Sequence, residues 1–313
     1  MNGEAAVILG IGEPLIEMVR VPETRDGRPM FVQGFGGDTA TAIIAAQRQG
    51  AKTGYLTGIS DDLFGEAWRG LWAAEGVDVS HATAKPGDPT GICFIDPDPR
   101  GRRFTYARRG SAAACYGPDD LPEDAIRAAK VLHLSGITLA ISGSMRAAAL
   151  KAVALIRDAG GLVSLDINYR PKLWASADEA REVLSDAVAQ ADLLFPSDDE
   201  AEMLFGTGDP DTLADLFLGN GARVVAVKRG EKGACLATPE ARWNVPPVQT
   251  TPVDSAGAGD SFAGAFLAWY LETGDARLAS AKAAEVAAAT VSGLGAVGPI
   301  PRRFPLQKPG RAS

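Results

Sequence analysis

Apolar and polar positions change period along this chain, and each change marks an element. Ala5 to Ile11 is a short apolar run ending in Gly-Ile-Gly, which predicts a buried first strand. From Leu15 to Phe35 apolar pairs mix with Pro, Gly and charges, the pattern of edge strands and turns rather than of a core helix. The spacing then predicts an alanine-rich helix over 40–49, stopped by Gly50, a strand over 53–57, a helix over 63–74 and a brief extension over 77–79. Residues 91–95 and 103–107 read as two strands joined by the turn-rich Asp96-Pro97-Asp98-Pro99-Arg100-Gly101. From Val131 onward the order is regular. Strands are expected over 131–135, 162–167, 192–195, 224–227 and 234–237. Helices are expected between them over 144–159, 177–190, 198–205 and 212–218, with a last one over 277–291. Such alternation predicts an α/β protein with a parallel sheet covered by helices on both faces. No internal repeat or low-complexity linker interrupts it, and the last dozen residues, rich in Pro and Arg, are expected to fray.

One stretch departs from plain core patterning. Val253 to Phe262 reads V-D-S-A-G-A-G-D-S-F, and Phe262, Ala265, Phe266 and Trp269 then recur on one helical face. Gly257 and Gly259 therefore sit where the chain enters a helix. The first N–H groups there lack internal partners, and the dipole presents positive charge. Side chains this small let an anion approach the backbone, and Asp260 adds a carboxylate in the first turn. Two readings stand at this point: a phosphate cradle with a base beside it, or a tight loop whose carboxylate favours the dipole.

Composition narrows the classes. The chain has 313 residues, 46% hydrophobic and 22% charged, an ordinary globular balance with material for a large core. A net charge of −8 argues against a general nucleic-acid binder. Three isolated cysteines (Cys93, Cys115, Cys235) fit a reducing cytoplasm, and two histidines weaken both metal-site and Ser-His-Asp readings. The first residues lack a signal-peptide pattern, and no apolar run is long enough to span a membrane. Gly10-Ile11-Gly12 could begin a dinucleotide fingerprint, but Leu15 stands where the third glycine belongs and Pro14 interrupts the helix.

Positive charge is concentrated at Arg100, Arg102, Arg103, Arg108 and Arg109, around Phe104 and Tyr106. Strand alternation puts Phe104, Tyr106 and Arg108 on one face and Arg103, Thr105 and Arg109 on the other. Only part of the cluster can therefore face a ligand. An arginine beside a tyrosine suits a carboxylate or phosphate on a hydroxyl-bearing skeleton. Ligands of α/β sheets sit beyond the carboxyl ends of the strands. Asp166-Ile167-Asn168-Tyr169-Arg170, Ser197-Asp198-Asp199-Glu200 and Lys228-Arg229-Gly230 all fall at such ends.

On these residues the chain resembles the ribokinase-type (PfkB-type) carbohydrate kinases along essentially its whole length. The general motifs are Gly36-Gly37 before the first helix and Asp254-Ser255-Ala256-Gly257-Ala258-Gly259-Asp260. Within the family, G-F-G-G-D-T at 34–39, L-H-L-S-G-I at 132–137, N-Y-R-P-K-L-W at 168–174 and V-K-R-G at 227–230 look most like the kinases of 2-dehydro-3-deoxygluconate. The resemblance implies one ribokinase-like domain over 1–313: a three-layer α/β/α sandwich, a mostly parallel sheet and a small β lid formed by about 14–35 and 90–109.

It implies transfer of the γ-phosphoryl of ATP to O6 of that sugar acid, with a kinase of a neutral sugar such as fructose or ribose as the rival. A silent sugar-acid-binding regulator is the reading from another class. Asp260 would be the base, and the amides of Ala256, Gly257, Ala258 and Gly259 the anion hole. Lys228, Gly230 and Gly233 would lie along ATP, and Gly37, Tyr106, Arg108 and Arg170 would hold the sugar acid. Glu200 would help place Mg²⁺ through water, and a monovalent cation sits behind the anion hole in some relatives. Partners would be the sugar acid and ATP, with no nucleic acid or membrane, and the lid sheet could carry a homo-oligomer contact. Two arginines facing the sugar would favour a carboxylate, because a neutral sugar would leave both charges unpaired. Three positions depart from the family pattern: Thr41 and Ser197, each where an asparagine is common, and Cys93, where some relatives have tyrosine.

Overall fold

The computed structural model describes residues 7–96 and 103–303. Arg100 and Arg102 of the basic cluster, most of the 96–101 turn and the end of the C-terminal tail lie outside the described residues. In chain order the strands are β1 (Ile8–Ile11), β2 (Leu15–Arg25), β3 (Arg28–Gly36), β4 (Thr53–Leu56), β5 (Gly58–Ile59), β6 (Thr83–Ala84), β7 (Gly91–Asp96) and β8 (Arg103–Ala107). There follow β9 (Val131–Ser135), β10 (Leu162–Asp166), β11 (Leu193–Phe195), β12 (Val224–Lys228), β13 (Ala234–Ala237) and β14 (Arg242–Val245). Eight of them form the main sheet in the order β14-β13-β12-β11-β10-β9-β1-β4. The pairs from β12 to β4 are parallel, and β13 and β14 close one edge antiparallel.

Strand alternation divides the core in two. Leu9, Ile11, Leu132, Leu134, Leu194, Val225 and Val227 pack on one face, with the helices Gly143–Asp158, Ala177–Val188, Asp198–Phe205 and Pro210–Gly219. Ile8, Val131, Leu193, Phe195, Val224 and Ala226 pack on the other, with the helices Asp38–Arg48, Leu63–Glu75, Ala258–Thr273 and Ala276–Val291. A parallel sheet with both faces covered is the three-layer sandwich expected from the pattern. His133 belongs to this packing: its Nδ1 lies 2.9 Å from Ser164 Oγ, and burial lowers its pKa to about 3, so the ring is neutral.

A second sheet, β3-β2-β7-β8, stands over the first as the lid. Its inner face carries Leu15, Val19, Cys93 and Ile95 as a small buried cluster, continued outward by Phe104 and Tyr106. Several short elements carried too weak a sequence signal to be expected, among them β5, β6, β14 and the helices Glu123–Ala128 and Gly136–Ala140. Each spans six residues or fewer, too short for a helical or strand period to show.

The helices Asp38–Arg48 and Ala258–Thr273 cross at Gly264. A Cβ there would lie 1.9 Å from the Ala42 carbonyl oxygen. Gly264→Ala should therefore destabilise the protein by about 1–3 kcal/mol through overpacking. Thermal unfolding would show this as a Tm lower by several degrees. An unchanged Tm would show that the two helices separate freely.

Candidate active site

A cleft of about 1000 Å³ lies between the lid and the carboxyl ends of the main strands, next to the point where strand order reverses between β1 and β9. Gly37, Tyr106, Arg108, Arg170, Glu200, Lys228, Gly230, Ala256, Gly257, Ala258, Gly259 and Asp260 all line it. Gly233 does not. Its φ is +83°, and a Cβ would sit 2.2 Å from the Val245 carbonyl oxygen, so its glycine serves the turn into β13.

The helix Ala258–Thr273 starts inside this cleft. Gly257 is its N-cap at φ 72°, and no side chain caps the helix. A Cβ on Gly257 would meet the Ala296 backbone at 2.8 Å, and one on Gly259 would meet Lys228 Nζ at 3.1 Å. Small residues are thus needed on both sides of the helix start. The anion hole is narrower than the motif suggests. The Ala256 N–H donates to Asp254 Oδ1 at 2.7 Å, and the Ala258 N–H donates more loosely to the Ser255 carbonyl at 3.4 Å. Asp254 Oδ2 also accepts from the Gly295 N–H at 3.0 Å, which pins the loop behind the helix start. The N–H groups of Gly257 and Gly259 take no partner among the described residues. They and Lys228 face the space where an anion would sit.

Around that point the charges are arranged in pairs. Lys228 Nζ contacts Asp166 Oδ2 at 2.5 Å. Burial alone would depress the ammonium, but Asp166 and Glu200 more than offset it and hold its pKa above the ordinary value. Arg170 pairs with Glu200, and Arg108 pairs with the buried Glu13. Both arginines do line the cleft, but each has a carboxylate partner, so a neutral ligand would not leave them uncompensated. That removes the charge argument by which they were expected to separate sugar acids from neutral sugars.

Asp260 is half-buried in the first turn of the helix, where Asn168 Nδ2 donates to its Oδ1 at 3.4 Å. Desolvation first, and then Asp38 and Asp166, push its pKa up to about 8, against the pull of Lys228 and Arg170. Asp38 hydrogen-bonds Ser135 Oγ and is itself raised by burial. A carboxylate held this high can accept a proton near neutrality, as a general base does.

Mg²⁺ keeps several waters and is usually held by one or two carboxylates together with substrate phosphates. Among the described residues no cluster of three or more ligating side chains forms a cage. Yet Ser197 Oγ and Glu200 Oε2 on the cleft wall, and Asp166 Oδ1 beyond it, are buried oxygens without hydrogen-bond partners, acceptors of the kind a hydrated cation would use. Of the three family departures, Ser197 and Cys93 line the cleft. Cys93 is buried opposite Tyr106, and desolvation pushes its thiol up to about 11, so it is a neutral contact. Thr41 is fully buried away from the cleft.

Sequence reading missed Glu13, Glu17 and Asp38, which are buried in or beside the cleft, and gave Asp166 and Asn168 no individual role. Asn168, at φ 35°, was signalled only as a polar strand end. Glu13, next to Pro14, carries no local sequence signal of its own.

The raised pKa of Asp260 carries a stability cost of known sign. An unfolded aspartate titrates near 3.9, so between about pH 4 and 8 the folded state holds a proton that the unfolded state has lost. Stability must fall as pH rises through that window. Asp260→Asn should raise the Tm of the ligand-free protein, little at about pH 4 and most at about pH 8. Tm differences that stay flat across this range would contradict the raised value.

The model of the "pfkB family carbohydrate kinase" matches residues 8–303. A 2-dehydro-3-deoxygluconokinase of Dickeya dadantii is 33% identical over 304 residues, covering 93% of this chain and 96% of the relative. Probable fructokinase-4 of Arabidopsis thaliana is 34% identical over 271 residues, covering 85% and 82%. Among solved structures, a PfkB protein from Polaromonas sp. JS666 superposes with a TM-score of 0.85 at 30% identity, over 93% of this chain and 97% of that one. A candidate ribokinase II from E. coli, in complex with ATP and Mg²⁺, superposes with a TM-score of 0.86 at 27% identity, over 94% and 96%. The fold is ribokinase-like, and the chain belongs to the PfkB family of carbohydrate kinases.

Proposed function

We propose that this sugar kinase phosphorylates 2-dehydro-3-deoxygluconate at O6, using ATP. The observation that carries the reading is Arg108. Its side chain is nine-tenths buried on the cleft wall, where Glu13 holds Nη2 and Nε has no hydrogen-bond partner. A substrate carboxylate would supply the missing acceptor, with Tyr106 beside it on the lid. The Dickeya relative, similar to this chain over nearly its full length, is named for that substrate. A second reading is a fructokinase. It is favoured by the pairing of both arginines with glutamates, which lets the cleft hold a neutral sugar, and by fructokinase relatives at similar identity.

The chemistry is the same in either case. Asp260 accepts the proton of the attacking hydroxyl as the sugar oxygen bonds to the γ-phosphorus and the bond to the bridging oxygen of ADP breaks. The Gly257 and Gly259 amides and Lys228 stabilise charge on the transferred group without reorganising at the moment of reaction. Mg²⁺, when bound, neutralises phosphate charge; Asp166, Ser197 and Glu200 would hold its waters. The lid, with Phe104 and Tyr106 on its inner face, excludes water that would otherwise hydrolyse ATP.

ADP release with Mg-ATP and 2-dehydro-3-deoxygluconate, fructose or ribose separates the readings. Turnover on the sugar acid at a kcat/KM well above that for fructose is expected, and turnover on neutral sugars alone would sink the sugar-acid assignment. With the preferred sugar, kcat/KM should climb with pH toward a plateau above about 8, as Asp260 loses its proton. Asp260→Asn should lower kcat by at least about 10³-fold, and near-normal turnover in that variant would remove Asp260 as the base.

A further inference from the structure

The chain passes between core and lid four times: at Gly12–Pro14 into β2, at Gly36–Gly37 out of β3, at Thr90–Gly91 into β7 and at Arg108–Ser111 out of β8. All four crossings meet at one residue. Glu13 lies on the first. Its carbonyl oxygen would be 2.3 Å from a Cβ on Gly37, so the second crossing runs directly over its backbone. Its Oε1 would be 2.5 Å from a Cβ on Gly91, so the third abuts its carboxylate. The fourth supplies Ser111, whose Oγ donates to Oε1 at 2.5 Å, and Arg108, which pairs with Oε2. Glu13 is 2% exposed and Ser111 1%, so water cannot replace these contacts. The third and fourth crossings are also joined directly by the Ala112 N–H to the Pro89 carbonyl at 2.9 Å. Thr90 is in turn fixed to the core, because Asp62 accepts from both its N–H and its hydroxyl, at 2.8 and 2.7 Å.

We propose that Glu13 is a positioning residue that ties the four hinge segments of the lid together and holds Arg108 in the sugar pocket, so that sugar binding and lid closure act through one buried contact. The inference requires only a sugar kinase of this family, whichever sugar is preferred. Arg108 lines the cleft with its Nη2 held by Glu13 and its Nε without a hydrogen-bond partner. A sugar that binds the side of the guanidinium not held by Glu13 meets an arginine already oriented, and the Arg108–Glu13 contact carries the restraint to every segment on which the lid turns. Losing Glu13 would free the guanidinium and loosen all four segments together.

The test compares Glu13→Gln, Arg108→Gln and the double variant with the wild type, on both 2-dehydro-3-deoxygluconate and fructose. Each single change should raise KM for the preferred sugar by about 10-fold while KM for ATP moves less than about 2-fold. The double variant should be no worse than Arg108→Gln alone, because both changes remove the same contact. ATP hydrolysis without sugar, relative to sugar phosphorylation, should increase as the lid ceases to exclude water. Hydrogen exchange in ligand-free Glu13→Gln should quicken at all four crossings and leave β9–β12 unchanged. Ser111→Ala should shift sugar KM the same way by less, and serves if Glu13→Gln does not fold. Additive single effects, an equal rise in KM for ATP, or quickened exchange confined to residues 12–15 would each overturn the proposal.

Discussion

The start of the helix Ala258–Thr273 is the constraint on which the rest of the molecule depends. Its first amides must face a ligand, so nothing larger than glycine or alanine can stand between the backbone and the cleft. The surrounding structure closes in accordingly. The Ala296 backbone presses on Gly257 from behind, Lys228 stands over Gly259, and Gly264 lets the helix Asp38–Arg48 approach to backbone contact one turn further on. Asp254 uses both carboxylate oxygens to fix the two loops that meet behind the helix start. Each contact trades side-chain volume for position, and together they hold the Gly257 and Gly259 donors in place without a cap.

A site of this kind gathers like charge. Asp38, Glu200 and Asp260 share a cleft with Lys228 and Arg170, Asp166 lies behind Lys228, and pairing offsets much of the cost of burial. Asp260, like Asp38, is not matched by a cation of its own, since its hydrogen-bond partner is the neutral Asn168. Its proton is therefore held more tightly than that of any ordinary carboxylate, which is the property its place in the cleft requires. The same pairing explains why substrate charge is hard to read from this cleft. An arginine that already has a glutamate can accept either a sugar acid or a neutral sugar without losing its compensation.

The fold was legible because a two-residue period separates Leu9 and Ile11 from Ile8, and Leu132 and Leu134 from Val131, onto opposite faces of one sheet. Asp260 and Lys228 were legible because each follows a pattern local in sequence, a small-residue helix start or a strand end. Glu13 was not, because its role depends on Gly37, Gly91, Arg108 and Ser111, brought to it from up to 98 residues away. Nor could the motif itself tell that Asp254 occupies the Ala256 amide, or that Gly233 belongs to a turn against β14 rather than to the cleft. Local spacing shows which backbone groups could bind a ligand, and tertiary partners decide which remain free.

The state of Asp260 in the ligand-free protein is the most direct measure of whether dry surroundings and neighbouring carboxylates set up the base. Infrared difference spectra of wild type against Asp260→Asn, taken from about pH 4 to 10, would follow this one carboxyl group. A protonated carboxyl band that disappears around pH 8 is the predicted result. Loss of that band near pH 4, the range of an ordinary aspartate, would contradict the account.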